Sequence, residues 1–353
     1  MTLEEAIAKI KPLDHNAMEI AQKRWDSIAK PLHSLGKLET LLIQIAGITG
    51  NAEVDLSRRG LIAMCADNGV VEEGVTQTGQ EVTAIVAENF LKYDTSVGVM
   101  CKQNHAEIFP VDMGMVTDTK VRTDHKIAYG TQNMTKGPAM TREQAVKGLE
   151  AGIDMVRELN DKGYRILATG EMGIGNTTPT SALLAALLDL PADTVTGRGA
   201  GLNNAGLARK VQVITQALAR VQGTTDAKQL LAELGGLEIA GMVGVFLGAR
   251  QYQIPVVLDG AITCVAALVA MRMDAEIVDY LLASHVSEEA SGRLALDALG
   301  LPAVIHGKMC LGEGSGAMML FPLLDMTLSI YKNMGTFDDL SIEAYSRDGK
   351  PEE

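Results

Sequence analysis

The sequence predicts an α/β fold, a mostly parallel sheet covered by helices. Three observations lead to it. Short apolar runs recur along the chain, with long helical patterns between most of them. The runs are apolar enough for strands buried on both faces of a sheet. Several of them finish in an acid and a glycine, which marks their carboxyl ends alike.

In chain order, residues 1–35 read as helical pieces broken at Pro12 and Pro31. From Leu35 to Ile48, Leu38, Leu41, Leu42, Ile45 and Ala46 recur at helical spacing. Gly60 to Ala66 is an apolar strand ending in Asp67-Asn68-Gly69, and one helical pattern covers 81–102. Ala106 to Val111 is a strand ending in Asp112-Met113-Gly114. The stretch 116–140 is polar and weakly patterned, as expected of a long ordered loop, and 141–162 is helical. Tyr164 to Thr169 is a strand ending in Gly170-Glu171-Met172-Gly173. The segment 182–190 is apolar nearly all round, so it belongs in a core or at a subunit interface. A helix over 203–222 follows. In 237–250, Ala240, Gly241, Gly244 and Gly248 lie about one turn apart and permit close helix packing. Ile254 to Leu258 is a strand ending in Asp259-Gly260, before an apolar helix over 261–272. Tyr280 to Ala283 is a strand ending in Ser284-His285. The tail beyond Thr336 is acidic and peripheral.

Composition excludes several classes. The 353 residues are 47% hydrophobic and 21% charged, a globular balance. A net charge of -13 argues against nucleic acid as the main partner but permits one small phosphate, held by a helix start and a lysine. Cys65, Cys101, Cys264 and Cys310 form no C-x-x-C pair, and three of them sit in apolar runs, which fits a reducing compartment. The first residues lack the basic start and apolar centre of a signal peptide. The longest apolar stretch, Ile254 to Met271, contains Pro255 and Asp259 and is no membrane span, so a cytoplasmic protein is expected. The six histidines show no metal-binding spacing, and no metal is expected.

The strand ends carry the functional argument, because open parallel sheets bind ligands there. Acid-Gly pairs also make ordinary turns, and for a single strand that reading is the stronger. Recurrence at four strand ends favours a shared ligand site. The segment Thr169 to Thr180 stands between a strand and an apolar helix. Its Gly173 and Gly175 allow close backbone approach to a ligand, and Asn176, Thr177 and Thr178 are capping residues beside free N–H groups. That is an anion site, although plain capping uses the same residues. It is neither a Walker A loop nor a complete dinucleotide fingerprint. Gly197 to Gly201, with Gly199 and then Asn203 and Lys210, forms a weaker phosphate candidate, since a lysine on a helix is ordinarily a solvated charge. In Leu311-Gly-Glu-Gly-Ser-Gly-Ala317, Glu313 sits between glycines ahead of an apolar helix. Burial there suits a general base, while dipole stabilisation of a helix-terminal Glu is the plainer reading. Ser315 is no elbow nucleophile, because Glu313 stands where that turn needs glycine.

Taken together, these segments resemble the nicotinate-nucleotide:5,6-dimethylbenzimidazole phosphoribosyltransferase family of cobamide lower-ligand assembly. The resemblance runs from about Leu35 to about Tyr331. It is carried by Ala66-Asp-Asn-Gly-Val70, Gln80-Glu-Val-Thr83, Asp112-Met-Gly114, Gly170 to Thr178, Gly197 to Gly201, Leu258-Asp-Gly260, Ser284 to Glu288 and Leu311 to Ala317. It implies a homodimer with a Rossmann-like large domain and a small helical domain built from both chain ends. The corresponding boundaries are 1–55, 56–310 and 311–353. It implies transfer of phosphoribosyl from nicotinate mononucleotide to a benzimidazole-type base without a cofactor, with Glu313 as the base that takes the azole proton. Gly173, Gly175, Asn176, Thr177, Thr178, Gly199, Gly201, Asn203, Lys210 and Ser287 are implied at the nucleotide. Thr78, Gln80, Glu171, Met172 and Asp259 are implied at the aromatic base. The family usually has Asp-His-Gly where this chain has Asp67-Asn68-Gly69, and Arg where it has Cys310. Both positions fall near the base, so purines, other benzimidazoles and phenols stay open as acceptors. An NAD-dependent oxidoreductase and a non-enzymatic nucleotide sensor are the rival classes.

Overall fold

The protein is described by a computed structural model covering residues 12–345. Helix α1 (His15–Ser27) begins where the Asp14 carboxylate accepts the Ala17 N–H at 2.9 Å, one of the unpaired donors of a helix start. Then follow α2 (Lys37–Thr49), β1 (Arg59–Ala66), α3 (Glu81–Lys92), α4 (Ser96–Gln103), β2 (Ala106–Gly114), α5 (Arg142–Asp161) and β3 (Ile166–Met172). The second half runs α6 (Thr177–Leu188), α7 (Ala192–Val195), α8 (Asn204–Arg220), α9 (Ala227–Leu234), α10 (Leu237–Tyr252), β4 (Val256–Leu258), α11 (Ala261–Met273), β5 (Leu281–Ala283), α12 (Ala290–Leu299) and α13 (Ser315–Asn333).

The strands lie in the order β2-β1-β3-β4-β5, and every neighbouring pair is parallel. The chain steps outward from β1 to β2, then crosses back to β3 on the other side. The order therefore reverses between β1 and β3, where such sheets bind ligands. Register brings the polar ends together: Met64 pairs with Glu171, and Cys65 pairs with both Met172 and Asp112. Strand β1 is buried along its whole length, as the apolar run requires.

Two differences from the sequence pattern bear on the site. The helix expected over 81–102 is two helices. Tyr93 takes a left-handed φ of 58°, and Thr95 then caps α4 by accepting the Gly98 N–H at 3.0 Å. Apolar spacing continues through the break, so periodicity alone does not reveal it. Strand β3 runs on to Met172, so Glu171 and Met172 belong to the strand rather than to the loop after it. The stretch 116–140 holds no helix and is an ordered loop. Arg122 and Met113 carbonyls accept the Asp112 and Ile127 N–H groups at 2.9 and 3.0 Å, and Thr131 donates to Asp67 at 3.0 Å.

Helix α10 is buried on every face from Leu237 to Arg250 and packs along α5. Its small residues make this possible: a Cβ on Gly244 would stand 2.9 Å from the Leu149 Cα, inside contact distance. The first and last helices, α1 and α13, meet on the opposite side of the sheet. Trp25 of α1 lies against Tyr331 of α13 at 5.1 Å, and Arg24 donates to the Tyr331 carbonyl at 2.9 Å. Their apolar side chains join the same cluster as Leu61, Ala63 and Cys65 of β1. Arg59 grips Asp325 through two bonds of 3.0 and 2.7 Å, tying α13 to the sheet. The terminal pieces 1–11 and 346–353 lie outside the described residues.

Gly244→Val is expected to destabilise the fold by about 1–3 kcal/mol, because the α5–α10 contact has no room for a side chain. Denaturant unfolding monitored by circular dichroism measures this, and an unchanged midpoint would refute the packing argument.

Candidate active site

A cavity of about 280 Å³ opens beyond the carboxyl ends of β3, β4 and β5, with residues 75–78 of the segment after β1 on its rim. One wall is the turn from β3 into α6. Gly175 takes a φ of +89° there, and the Ile174 N–H donates to the Thr83 hydroxyl at 3.1 Å. Asn176 does not cap α6 as expected. Its backbone is already helical, and its side-chain amide donates to Glu171. A capping side chain accepts through its oxygen from a non-helical backbone position, and the helical backbone at Asn176 denies it that geometry.

Lys210 is fully buried behind this wall. Its ammonium donates to the Thr177 hydroxyl at 2.7 Å and to the Gly197 carbonyl at 3.2 Å. Burial lowers its pKa to about 8, against the opposing field of Glu289. Gly199 closes the gap between loop and lysine: with φ +53°, a Cβ there would lie 2.9 Å from the Thr177 hydroxyl.

The opposite wall carries Glu313. Gly312, Glu313 and Gly314 all take positive φ, at 86°, 63° and 100°. A non-glycine residue in that run needs support from its surroundings. Asp259, at the end of β4, accepts the Gly314 N–H at 3.0 Å and the Gly316 N–H at 2.6 Å. Glu171 accepts the Glu313 N–H at 3.4 Å. Gly170 of β3 lies flat beneath, since a Cβ there would sit 2.8 Å from the Glu313 carbonyl carbon. The half-buried Glu313 carboxylate accepts the Val97 N–H at 3.3 Å. Burial raises its pKa, the Val97 bond opposes that, and Asp259 adds to the rise.

Three further carboxylates are buried in this region, and two of them, Glu171 and Asp259, line the cavity with Glu313. Glu171 is pushed up to about 8 by burial and then by Asp259 and Glu238. Glu238 of α10 is pushed up to about 7 by burial, and it accepts the Asn68 amide at 2.9 Å. Asp259 is raised by burial, with the neighbouring His285 acting against it. His285 in turn is lowered by burial, and its ring meets the Ser284 hydroxyl at 3.1 Å. Burial and its acidic neighbours thus favour the protonated form of Glu171.

The structure gathers most of the expected residues. Thr78, Glu171, Met172, Gly173, Gly175, Asn176, Thr177, Gly199, Asp259, Ser287 and Glu313 line the cavity together with Cys310. Others stand back from it. Gln80 donates to the Asn68 carbonyl at 3.1 Å, and Thr178 is buried within α6. Asn203 caps α8 by accepting the Gly206 N–H at 2.9 Å, and Gly201 lies at the exposed end of its loop. Sequence reasoning did not single out Glu238, Arg198 or Glu289. Glu238 reads as an ordinary first-turn acid of a helix, and nothing local shows that it is buried. Among the described residues no cluster of His, Cys, Asp and Glu is arranged for a metal ion, and no helix is long and apolar enough to cross a membrane.

A parallel α/β sheet with a switch-point cavity, a buried lysine behind glycine loops and a set of perturbed carboxylates defines an α/β enzyme. A family model described as phosphoribosyltransferase matches residues 10–342, and the chain belongs to that family. It is 43% identical to the nicotinate-nucleotide--dimethylbenzimidazole phosphoribosyltransferase of Ruminiclostridium cellulolyticum, over 98% of this chain and 99% of that one. It is 40% identical to the protein of the same name from Acetivibrio thermocellus, over 97% and 99%. The crystal structure of CobT from Thermus thermophilus superposes with a TM-score of 0.88 at 36% identity, covering 94% of this chain and 100% of that one.

The lowered pKa of Lys210 gives a pH test of whether an anion binds in front of it. It is charged below about 8 and neutral above. Sulfate keeps its charge over this range, so its affinity is expected to fall by roughly five- to tenfold over the pH unit above that value. Isothermal titration measures this, and a flat profile would mean that the charge of Lys210 does not act on the anion. In Lys210→Met the dependence should disappear.

Proposed function

We propose that this chain transfers phosphoribosyl from nicotinate mononucleotide to 5,6-dimethylbenzimidazole, giving nicotinate and α-ribazole 5'-phosphate in cobamide nucleotide-loop assembly. The observation that carries the reading is Glu313: a carboxylate of raised pKa, held in the cavity by Asp259 and Glu171. The names of the relatives support the substrates, and the glycine-loop wall with Lys210 behind it supports a phosphate contact.

The chemistry follows from these groups. Nicotinate in the nucleotide is a pyridinium and leaves without protonation or a metal. As its bond to ribose breaks, positive charge grows on the sugar ring, and carboxylates nearby stabilise it. The azole nitrogen attacks from the opposite face, which inverts the anomeric carbon and gives the α product. Glu313 takes the proton from the other azole nitrogen as the new bond forms. The protonated Glu171 stands beside it as a hydrogen-bond donor within the cavity. Thr177, Gly199 and Ser287, with Lys210 behind, hold the phosphate and so fix the ribose between the two bases. Met172 and Thr78 line the cavity where the aromatic base is expected. We take the working form to be a cytoplasmic homodimer, as the family resemblance implies.

Glu313→Gln is expected to retain nicotinate mononucleotide binding and to lose about 10²- to 10⁴-fold in kcat. Steady-state kinetics with dimethylbenzimidazole decide this, and an unchanged rate removes Glu313 from the base role. The pH profile has a definite sign. A raised carboxylate pKa means that kcat/KM falls as pH drops through it, and the Gln variant should lack that limb. A panel of benzimidazoles, purines and phenols, followed by product mass, tests the acceptor that Asn68 and Cys310 leave open. Turnover of a purine or phenol above dimethylbenzimidazole would replace the benzimidazole assignment.

A further inference from the structure

We propose that Glu289 is the anionic placeholder of the phosphate site and gives up its position when a phosphate binds. This deepens the transfer reading and rests on the phosphate binding at the Thr177 wall in front of Lys210. Lys210 has no exposed surface, and its two hydrogen-bond partners, the Thr177 hydroxyl and the Gly197 carbonyl, are neutral. A buried cation left with neutral partners alone is costly. The Glu289 carboxylate lies directly over Gly197, the residue whose carbonyl takes the lysine. A Cβ on Gly197 would stand 2.6 Å from the Glu289 carboxyl carbon, so glycine is what admits it. Its charge favours the ammonium form of Lys210.

Glu289 lines the same cavity as Thr177, Gly199 and Ser287. Its own N–H donates to the Ser287 hydroxyl at 3.3 Å, which ties its backbone to the start of α12. A carboxylate and a phosphate seek the same donors, and two anions at one lysine repel each other. The side chain is only partly buried, so it has a path to solvent. Glu289 thus keeps the buried cation neutralised at the expense of phosphate affinity. A ligand without a phosphate gives no reason for Glu289 to leave.

The test compares binding by calorimetry in the wild type, Glu289→Gln and Glu289→Asp, using nicotinate mononucleotide, nicotinate riboside and inorganic phosphate. Glu289→Gln is expected to bind the nucleotide and inorganic phosphate about five- to tenfold more tightly, a factor set by roughly one unit of charge repulsion. The gain for the riboside should be much smaller, and Glu289→Asp should stay near wild type. Nucleotide affinity that is unchanged or weaker overturns the proposal, since Glu289 would then be a bystander or a contact to the sugar. An equal gain for the riboside overturns it too, because the effect would not lie at the phosphate. Failure of the transfer reading would show separately, as absent turnover with every acceptor while phosphate binding persists.

Discussion

The carboxylate of Asp259 accepts two backbone N–H groups, from Gly314 and Gly316, and the wall that carries Glu313 depends on that grip. It joins the end of β4 to the first residues of α13. The loop between must hold three consecutive left-handed residues, one of them Glu313. A non-glycine residue there costs about 1–2 kcal/mol. Hydrogen bonds to a charged acceptor contribute about 1.5–3 kcal/mol each, so two of them outweigh the strain. Gly170 lets the loop lie on β3, and Glu171 adds a third anchor. The cost of the conformation is met by the sheet itself, which fixes where Glu313 points.

The same closeness creates an electrostatic problem that the site uses. Glu171, Glu238 and Asp259 are buried, and Asp259 and Glu238 both act on Glu171. Water cannot screen them, so they cannot all stay ionised at neutral pH. Their environments divide the roles. Asp259 takes backbone N–H bonds and faces His285, which favours its charge. Glu171, with weaker help, holds a proton at about 8. Glu313 is less buried and receives one N–H, so it is the group best able to exchange a proton with a ligand. Related carboxylates in one cavity are thereby set to anchor, to donate and to accept.

On the other wall, cationic charge is kept out of water and handed over through a hydroxyl. Lys210 never reaches the cavity surface, while Thr177 does. A phosphate held there meets a polar wall with a full charge behind it. Glycines at 197 and 199 bring loop, lysine and carboxylate together, because side chains at either position would separate them.

Much of this was legible in the sequence. The alternation of apolar strands with helical patterns predicted the layers, and the acid-Gly strand ends predicted the edge on which the site lies. Glu313 stood out as a carboxylate between glycines ahead of an apolar helix, although the helix dipole alone could account for it. Other features had no local signal. The break at Tyr93 comes without glycine or proline, and the apolar spacing runs on through it. Asn176 looked like a cap, but its backbone is already helical and its amide donates to Glu171. Lys210 and Glu238 look like surface charges on helices, yet both are fully buried. By itself the sequence determined which segments become strands and helices, because those follow from periodicity and short-range sterics. Tertiary structure alone decided which charges are buried and which partner each polar group takes. Desolvation and hydrogen bonding there depend on residues far apart in the chain, such as Glu171 beside Glu313 and Glu289 above Gly197.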